Sequence, residues 1–397
     1  MKIRDYFKIN PSKNSNKYTD FINYIDTGAV SEGHLIEVSY LDADFPSRAQ
    51  RLVNVNDILY SSVRPNLRHY YLYKNNYPHV VASTGFVLLR NTSKYNTQFA
   101  YYFLTTKEVV KHLSNIAELS QSTFPSFSSK DLGKIDLPDI DSKEQEKIVS
   151  ILSNYDNLIE INNKRIKILE QMAENLYKEW FVRFRFPGYQ TTEFENGIPK
   201  GWEYCTVETL SDVLQRGISP EYDDDGLLAV ISQKCIRQNI MDIKEARKQN
   251  KSFKPELNLQ DGDTVICSTG TGTLGRVGQV YGDYPDTTFD SHVTLIRAKS
   301  DIGKHFLYWT LKELQPWFMN MGIGSTNQQE LYRGTIKNAK VLKPENGIIE
   351  QFEKMVEPIH KRIINLIWSR ENQIRQRDLL LPRLMSGKLE VIRWGLK

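Results

Sequence analysis

The second half of this chain repeats the first. Asp57-Ile58-Leu59-Tyr60-Ser61-Ser62 returns 206 residues later as Asp263-Thr264-Val265-Ile266-Cys267-Ser268. At the same offset Tyr102-Phe103 returns as Tyr308-Trp309, and Glu144-Gln145 as Glu350-Gln351. Gly85–Arg90 pairs with His292–Arg297 at 207, and Ser122-Thr123 with Ser325-Thr326 at 203. Any one match is short enough to be chance. Five in the same order, with the offset drifting by a few residues, are what duplication followed by loop insertion leaves behind. Such a chain must build two similar units.

Each half opens with a strand-rich segment of roughly 140 residues. The runs Asp57–Ser62, Val80–Arg90, Thr264–Ser268 and His292–Arg297 have β character, and short helices fit Tyr95–Ser114 and Gly303–Met319. A long helix follows in each half. From Ser142 to about Phe181 there is neither Gly nor Pro. Steps of four and three pick out Ile148, Leu152, Tyr155, Ile159, Asn162, Ile166, Leu169, Ala173, Leu176 and Trp180, a heptad seam with one polar member. Asp141 or Ser142 can cap its start. Forty such residues would span about 60 Å. The second helix, from about Ile348 to Met385, carries Phe352, Ile359, Ile363, Leu366, Ile374 and Leu381. Pro358 is expected to kink it or mark its start, and Pro382 and Gly387 to end it. Neither helix can bury its stripe alone, so the two should pair antiparallel.

The expected fold is therefore α+β: two similar β-rich domains joined by two long antiparallel coiled-coil helices. The boundaries are 1–140 for the first domain and 141–182 for the first helix. A Gly- and Pro-containing linker follows at 183–201, then the second domain at 202–346, and the second helix with its tail at 347–397.

Composition narrows the function classes. The 397 residues carry 52 Lys and Arg against 48 Asp and Glu, a net charge of +4, which permits nucleic-acid binding without requiring it. No apolar run is long enough for a membrane span, and the N-terminus shows no secretory h-region. Cys205, Cys235 and Cys267 are too few and too scattered for a disulfide framework or zinc knuckle. These features together read as a soluble protein of the reducing cytoplasm.

The motifs of catalysis are missing. Gly270-Thr271-Gly272-Thr273-Leu274-Gly275 is a formal GxGxxG, but Arg276–Tyr281 after it reads as a strand. With no helix N-terminus to hold a pyrophosphate, a β-hairpin loop is the better reading. The Asn/Asp-Pro-Pro-aromatic loop of adenine amino-methylation has no match. Pro138-Asp139-Ile140-Asp141-Ser142-Lys143 is too compressed for a Mg²⁺ nuclease cluster and sits where a helix needs capping. Asp290-Ser291-His292 has triad residue types, but adjacent in sequence, on opposite faces of a strand. No catalytic or metal-binding constellation emerges.

DNA contact has better candidates. The loop after Ser61 offers Arg64, Asn66 and Arg68, matched to the guanine and adenine edges. Ser122 and Thr123 lie in a hydroxyl-rich stretch suited to phosphates. The second half offers Thr271, Thr273, Arg276, His292, Ser325, Thr326 and Asn327 at corresponding places. Each alone could be a solvated loop; their recurrence in both halves favours a shared role. Lys361, Arg362, Arg370, Arg375, Arg377 and Arg383 could lie along phosphates, or form a solvated face or one docked on an acidic partner.

The whole chain resembles the specificity subunits of type I restriction-modification enzymes. The resemblance is carried by Asn56–Asn66, Leu137-Pro138 with Glu144–Ile148, Trp180-Phe181, Ile198-Pro199-Lys200-Gly201-Trp202, Gly262-Asp263, Ser268–Arg276, Gly324-Ser325-Thr326 and the tail Leu381–Leu389. It implies two target-recognition domains, each reading one half of a bipartite, asymmetric double-stranded DNA sequence, with the helices setting the gap. It also implies two methylation subunits and restriction/translocase subunits as partners. S-adenosylmethionine, ATP and Mg²⁺ would then sit on those partners, with no cofactor and no catalysis on this chain. Lengthening the first helix should change the gap, by about 5.4 Å per turn. Two other readings stay open. One is a helical scaffold that reads no bases. The other is a stand-alone nuclease or methyltransferase with an unrecognised site.

Overall fold

The computed structural model describes residues 1–13, 18, 20–120, 124–237, 239–324 and 329–386. The chain divides into two compact units. One is residues 1–160 with the C-terminal stretch from Glu371, and the other is Ile161–Arg370.

The first unit contains two four-stranded sheets. In one, Phe7–Ile9, Phe86–Asn91, Ile58–Ser61 and Tyr70–Leu72 lie side by side in that order, all antiparallel. In the other the order is Ser39–Leu41, Ile22–Ile25, Val80–Ser83, Ala49–Leu52, with the central pair parallel. The second unit repeats the first sheet strand for strand: Ser211–Arg216, Val293–Ala298, Thr264–Cys267, Val277–Gln279. Its other sheet has Arg247–Gln249, Leu228–Ile231 and Thr287–Phe289, again with one parallel pair. The partner of Ala49–Leu52 is a 3₁₀ turn, Pro255–Leu257, opened by its proline. The duplicated strings of the sequence are thus the duplicated central strands, and their apolar runs are buried on both faces.

Each predicted short helix is two. Thr97–Leu104 ends before Thr106, whose hydroxyl caps Lys107–Glu118 by accepting from Val109 N. Lys304–Glu313 is followed by Gln315–Asn320, with Pro316 in its first turn. The run Val80–Arg90 is likewise two strands, broken at Thr84-Gly85.

The first long helix runs Ser142–Tyr177 and widens into a π-helical turn, Lys178–Val182. Asp141 Oδ1 caps it, accepting from Lys143 N and Glu144 N at 2.9 and 3.1 Å. The acidic stretch before the helix is therefore capping chemistry. The second long helix starts at Asn346 and continues to Met385, through both Pro358 and Pro382. Neither proline ends it, and Gly387 lies outside the described residues. Pro358 removes one helical hydrogen bond. Buried Val356 and His360 on either side tie that stretch to the domain.

In the first unit, Ile148 and Leu152 share an apolar core with Leu384 and Met385. Arg377 donates to Asp156 at 2.9 Å, and Asp156 also accepts from Tyr102 Oη at 2.6 Å. In the second unit, Ile166 meets Ile363, Leu366 and Ile367, while Trp180 and Phe181 pack on Phe352 with ring centroids 5.9 and 5.0 Å apart. The polar seam residue Asn162 is buried and donates to the Ser369 hydroxyl at 3.4 Å. Within each unit the helix segments therefore run antiparallel. Of the basic residues on the second helix, Arg377 and Arg370 are engaged by Asp156 and Asn163, and Lys361 pairs with Glu357.

The segment read as a linker has structure of its own. Phe184 and Phe186 pack on Trp202, with ring centroids 5.5 and 5.1 Å away. A two-residue turn at Asn196-Gly197, both at positive φ, closes a hairpin between Phe194–Glu195 and Ile198–Pro199.

Candidate nucleic-acid interface

In each unit the strand carrying the duplicated string ends in a loop at one end of the sheet. In the first unit, Ser62 N donates to Gly85 O at 2.9 Å, and Phe127 N donates to Ser62 O at 3.1 Å. In the second, Ser268 N donates to His292 O at 2.8 Å, and Leu331 N to Ser268 O at 2.8 Å. Bridges between Val63 and Ser126, and between Thr269 and Glu330, extend the correspondence. Three segments far apart in sequence are therefore gathered by the same hydrogen bonds twice.

The other end of these strands is locked, also twice. Arg90 donates to both carboxylate oxygens of Asp57, at 2.9 and 2.7 Å, and to Leu52 O at 3.1 Å. Arg297 does the same to Asp263, both at 2.7 Å, and reaches Glu256 O and Asn258 O. Asn54 N and Gln260 N also donate to Oδ2 of Asp57 and of Asp263, at 2.7 and 2.8 Å. The hydrogen bonds to Asp57 raise the Arg90 pKa, keeping it a cation. These fork-on-carboxylate pairs fix the register of the strands that carry the loops. Sequence reasoning missed them. The signal was present, since Asp57 and Arg90 recur as Asp263 and Arg297 inside the matched strings.

The loops differ in what they display. Left-handed backbone positions occur in both. In the first unit they hold Arg64 (φ 47°) and Arg68 (φ 54°); in the second, Gly270 (φ 101°) matches Arg64, and Gly272 and Gly275 (both φ 76°) follow. Glycine is the ordinary occupant of such positions. A Cβ on Gly275 would meet the Met319 backbone nitrogen at 2.5 Å, so the second loop requires glycine there. The GxGxxG string is explained by this turn, and Val277–Gln279 after it is a strand. An arginine in left-handed backbone carries strain, and strain of this kind gathers at functional positions.

The predicted contact residues fall into distinct environments. Arg64 and Asn66 are exposed, whereas Arg68 is half-buried and paired with Glu32 at 3.5 Å. Thr271 is exposed. Thr273 turns inward, its hydroxyl donating to Thr269 O and Gly270 O at 3.0 and 3.1 Å. Arg276 is half-buried at the base of the loop, where its carbonyl accepts from Cys267 N. His292 is exposed, with Nδ1 2.7 Å from Thr269 Oγ1. Ser122, Thr123, Ser325, Thr326 and Asn327 lie outside the described residues. The fold also brings in groups the sequence did not nominate. Arg216 is ion-paired with Glu330 and donates to Ser291 O at 2.5 Å, and Gln233 lies beside Gly270. Asp290 is buried beneath them, accepts from His292 N at 2.9 Å, and is pushed up in pKa by burial. Among the described residues, no group of three or more His, Cys, Asp or Glu side chains is placed to hold a metal ion, and no helix is long and apolar enough to cross a membrane.

Comparison with known proteins meets this geometry. Residues 1–171 match the family described as the type I restriction modification DNA specificity domain. The chain is 23% identical to the type I restriction enzyme HindI specificity subunit of Haemophilus influenzae, over 95% of this chain and 97% of that one. It is 27% identical to the MjaIX specificity subunit of Methanocaldococcus jannaschii, over 74% and 69%. A crystal structure of a type I restriction-modification S subunit from M. genitalium shares the fold at a TM-score of 0.55 with 17% identity, covering 97% and 95% of the two chains.

Proposed function

We propose that this chain, a member of the type I restriction-modification specificity-subunit family, reads a bipartite DNA sequence, one half with each β-rich domain. One observation carries this reading: the same three-segment loop cluster is built twice, by the same hydrogen bonds, and furnished with different side chains. A duplicated scaffold with divergent tips suits reading two different sequences with one architecture. Arg64 and Asn66 can pair with guanine and adenine edges, while Thr271 and His292 offer smaller donors and acceptors. Two readers on one chain raise each other's effective concentration, so modest half-sites add to tight binding.

The reaction chemistry belongs to other subunits in this reading. Two methylation subunits would bring S-adenosylmethionine, and restriction/translocase subunits ATP and Mg²⁺, while this chain works in the cytoplasm without a cofactor.

The test is a methylome map of cells expressing the chain with its methylation subunit, against the methylation subunit alone. A new bipartite adenine-methylated motif with a fixed gap is the expected result. Arg64→Ala should then relax one half of that motif, and Arg276→Ala the other, each costing about 1–3 kcal/mol of site binding. An assembled complex that methylates no new motif would overturn the reading and favour a scaffold.

A further inference from the structure

The two loop clusters differ in one more way. Phe124 in the first is 57% exposed, and the Arg64 guanidinium lies over its ring, 5.2 Å from the centroid. Lone exposed apolar side chains are common and need no explanation. This one is held in place on a surface otherwise suited to nucleic acid. Pro125 follows it and restricts its backbone. Arg64 N donates to Pro125 O at 2.8 Å, Ser126 N to Ser120 Oγ at 3.2 Å, and Phe127 is buried as an anchor. The ring therefore stands on a pinned turn beside an arginine in left-handed backbone. In the second half, the corresponding stretch from Ser325 to Leu331 contains no aromatic residue.

We infer that Phe124 is an apolar wedge that enters a base step of the bound duplex, with Arg64 seated in the groove beside it. An aromatic ring gains little against phosphates, but inserted between bases it replaces the stacking it disrupts. A guanidinium stacked on that ring is already oriented for an acceptor on the adjoining base edge. Because the second half lacks the aromatic, only one half-site should be deformed. The inference rests on the DNA-reading function proposed above, and its test separates the two.

The probe is duplex DNA carrying the methylome-mapped target, with 2-aminopurine placed at one position at a time across both half-sites. It is bound by the full chain in complex with its methylation subunits, without S-adenosylmethionine. The methylation subunits flip their target adenines, so those positions are set aside; elsewhere the expected result is a several-fold fluorescence rise at one step of one half-site and none in the other. Phe124→Ala should abolish the rise and weaken binding to the fully paired duplex about ten-fold. A mismatch at that step, which removes the cost of unstacking, should restore the variant to within a few-fold of the parent. Phe124→Leu should retain part of the rise, which separates loss of the wedge from loss of the turn. Unchanged affinity for Phe124→Ala, or no rise outside the target adenines despite specific binding, would overturn the wedge and leave the DNA reading standing. Failure of the parent complex to prefer the mapped duplex would overturn the DNA reading itself.

Discussion

The two units hold the long helices in different ways. In the first, the helices close on an apolar core with a charged tie from Arg377 to Asp156 to Tyr102. In the second, they dock through a buried polar network. Glu353 accepts from His305 N and Phe306 N, capping Lys304–Glu313. Glu357 bonds His305 Nε2 at 2.8 Å, and His360 bonds Asp261 at 2.8 Å. Lys304 joins Asp261 and Glu357 at 2.5 and 3.3 Å. At the matching steps the first half has Phe99, Val55, Gln98, Lys147 and Ile151 for His305, Asp261, Lys304, Glu353 and Glu357. Duplication kept the strands, the loop cluster and the Asp–Arg lock, and let the helix-facing side drift. What was kept serves the loops.

The sharpest way to break that comparison is at the lock. Asp57 and Asp263 are 2% and 1% exposed, so removing either strands a guanidinium among carbonyls. Asp57→Ala and Asp263→Ala should each cost about 3–5 kcal/mol in their own unit. Hydrogen exchange would check this, with protection lost in one unit per variant. Equal losses would establish the pairs as equivalent. A much smaller loss for one would show that the duplicated geometry hides unequal roles.

Next in size is pH dependence, expected of the second unit. Burial, with His360 beside it, pushes His305 down to about 4. The unfolded chain takes up that proton from about pH 6.5 downward, so this group's contribution falls as pH drops toward 4, by on the order of 3 kcal/mol. Burial pushes Glu353 up to about 7, so its contribution runs the other way: the fold keeps a proton that the unfolded chain has released, and stability falls as pH rises from 4.5 to 7. Against its burial, Glu357 is held down at about 2 by His305 and Lys304, and its contribution is lost below about pH 4.5. Glu170, in the same unit, is likewise pushed up to about 7 by burial and adds a second loss over that range. With two raised carboxylates against one depressed histidine, the second unit should lose stability from pH 4.5 to 6.5, and it should also fall below 4.5. Glu353→Gln should flatten the profile between pH 4.5 and 6.5. Urea melts at stepped pH would show it, and an unchanged slope in the variant would break the account.

Much of this architecture was legible in the sequence because it follows from periodicity. The heptad seam from Ile148 to Trp180 and the duplicated strings report burial, which repeats along the chain. The loops had to be inferred from residue type, and type does not reveal direction. Thr271 and Thr273 look alike in sequence, yet one hydroxyl is outward and the other bonds its own loop. Arg64 and Arg68 look alike, yet one is exposed and the other sits against Glu32. Pro358 does not mark the start of the second helix, because a helix breaker acts locally, whereas the burial of Val356 and His360 that carries the helix through it is tertiary. The buried charged network was invisible for the same reason: its members come from 261, 304–305 and 353–360, which no pattern joins.

The smallest effect on stability belongs to the position where the loops differ most. Arg64 and Gly270 share a left-handed backbone, and only one of them is glycine. Relief of that strain by Arg64→Gly gains about 1 kcal/mol, and the greater freedom of glycine in the unfolded chain offsets much of the gain. The first unit should therefore melt within about 1 kcal/mol of the parent. Site binding should nevertheless fall by about 1–3 kcal/mol, because the side chain that justified the strain is gone. Paired thermal melts and titrations with the mapped duplex would separate the two. A variant that melts like the parent and binds like the parent would make the arginine an accident of drift. Unchanged melting with weakened binding would mean that the first loop tolerates a strained backbone in order to place a cation where the second loop needs only a turn.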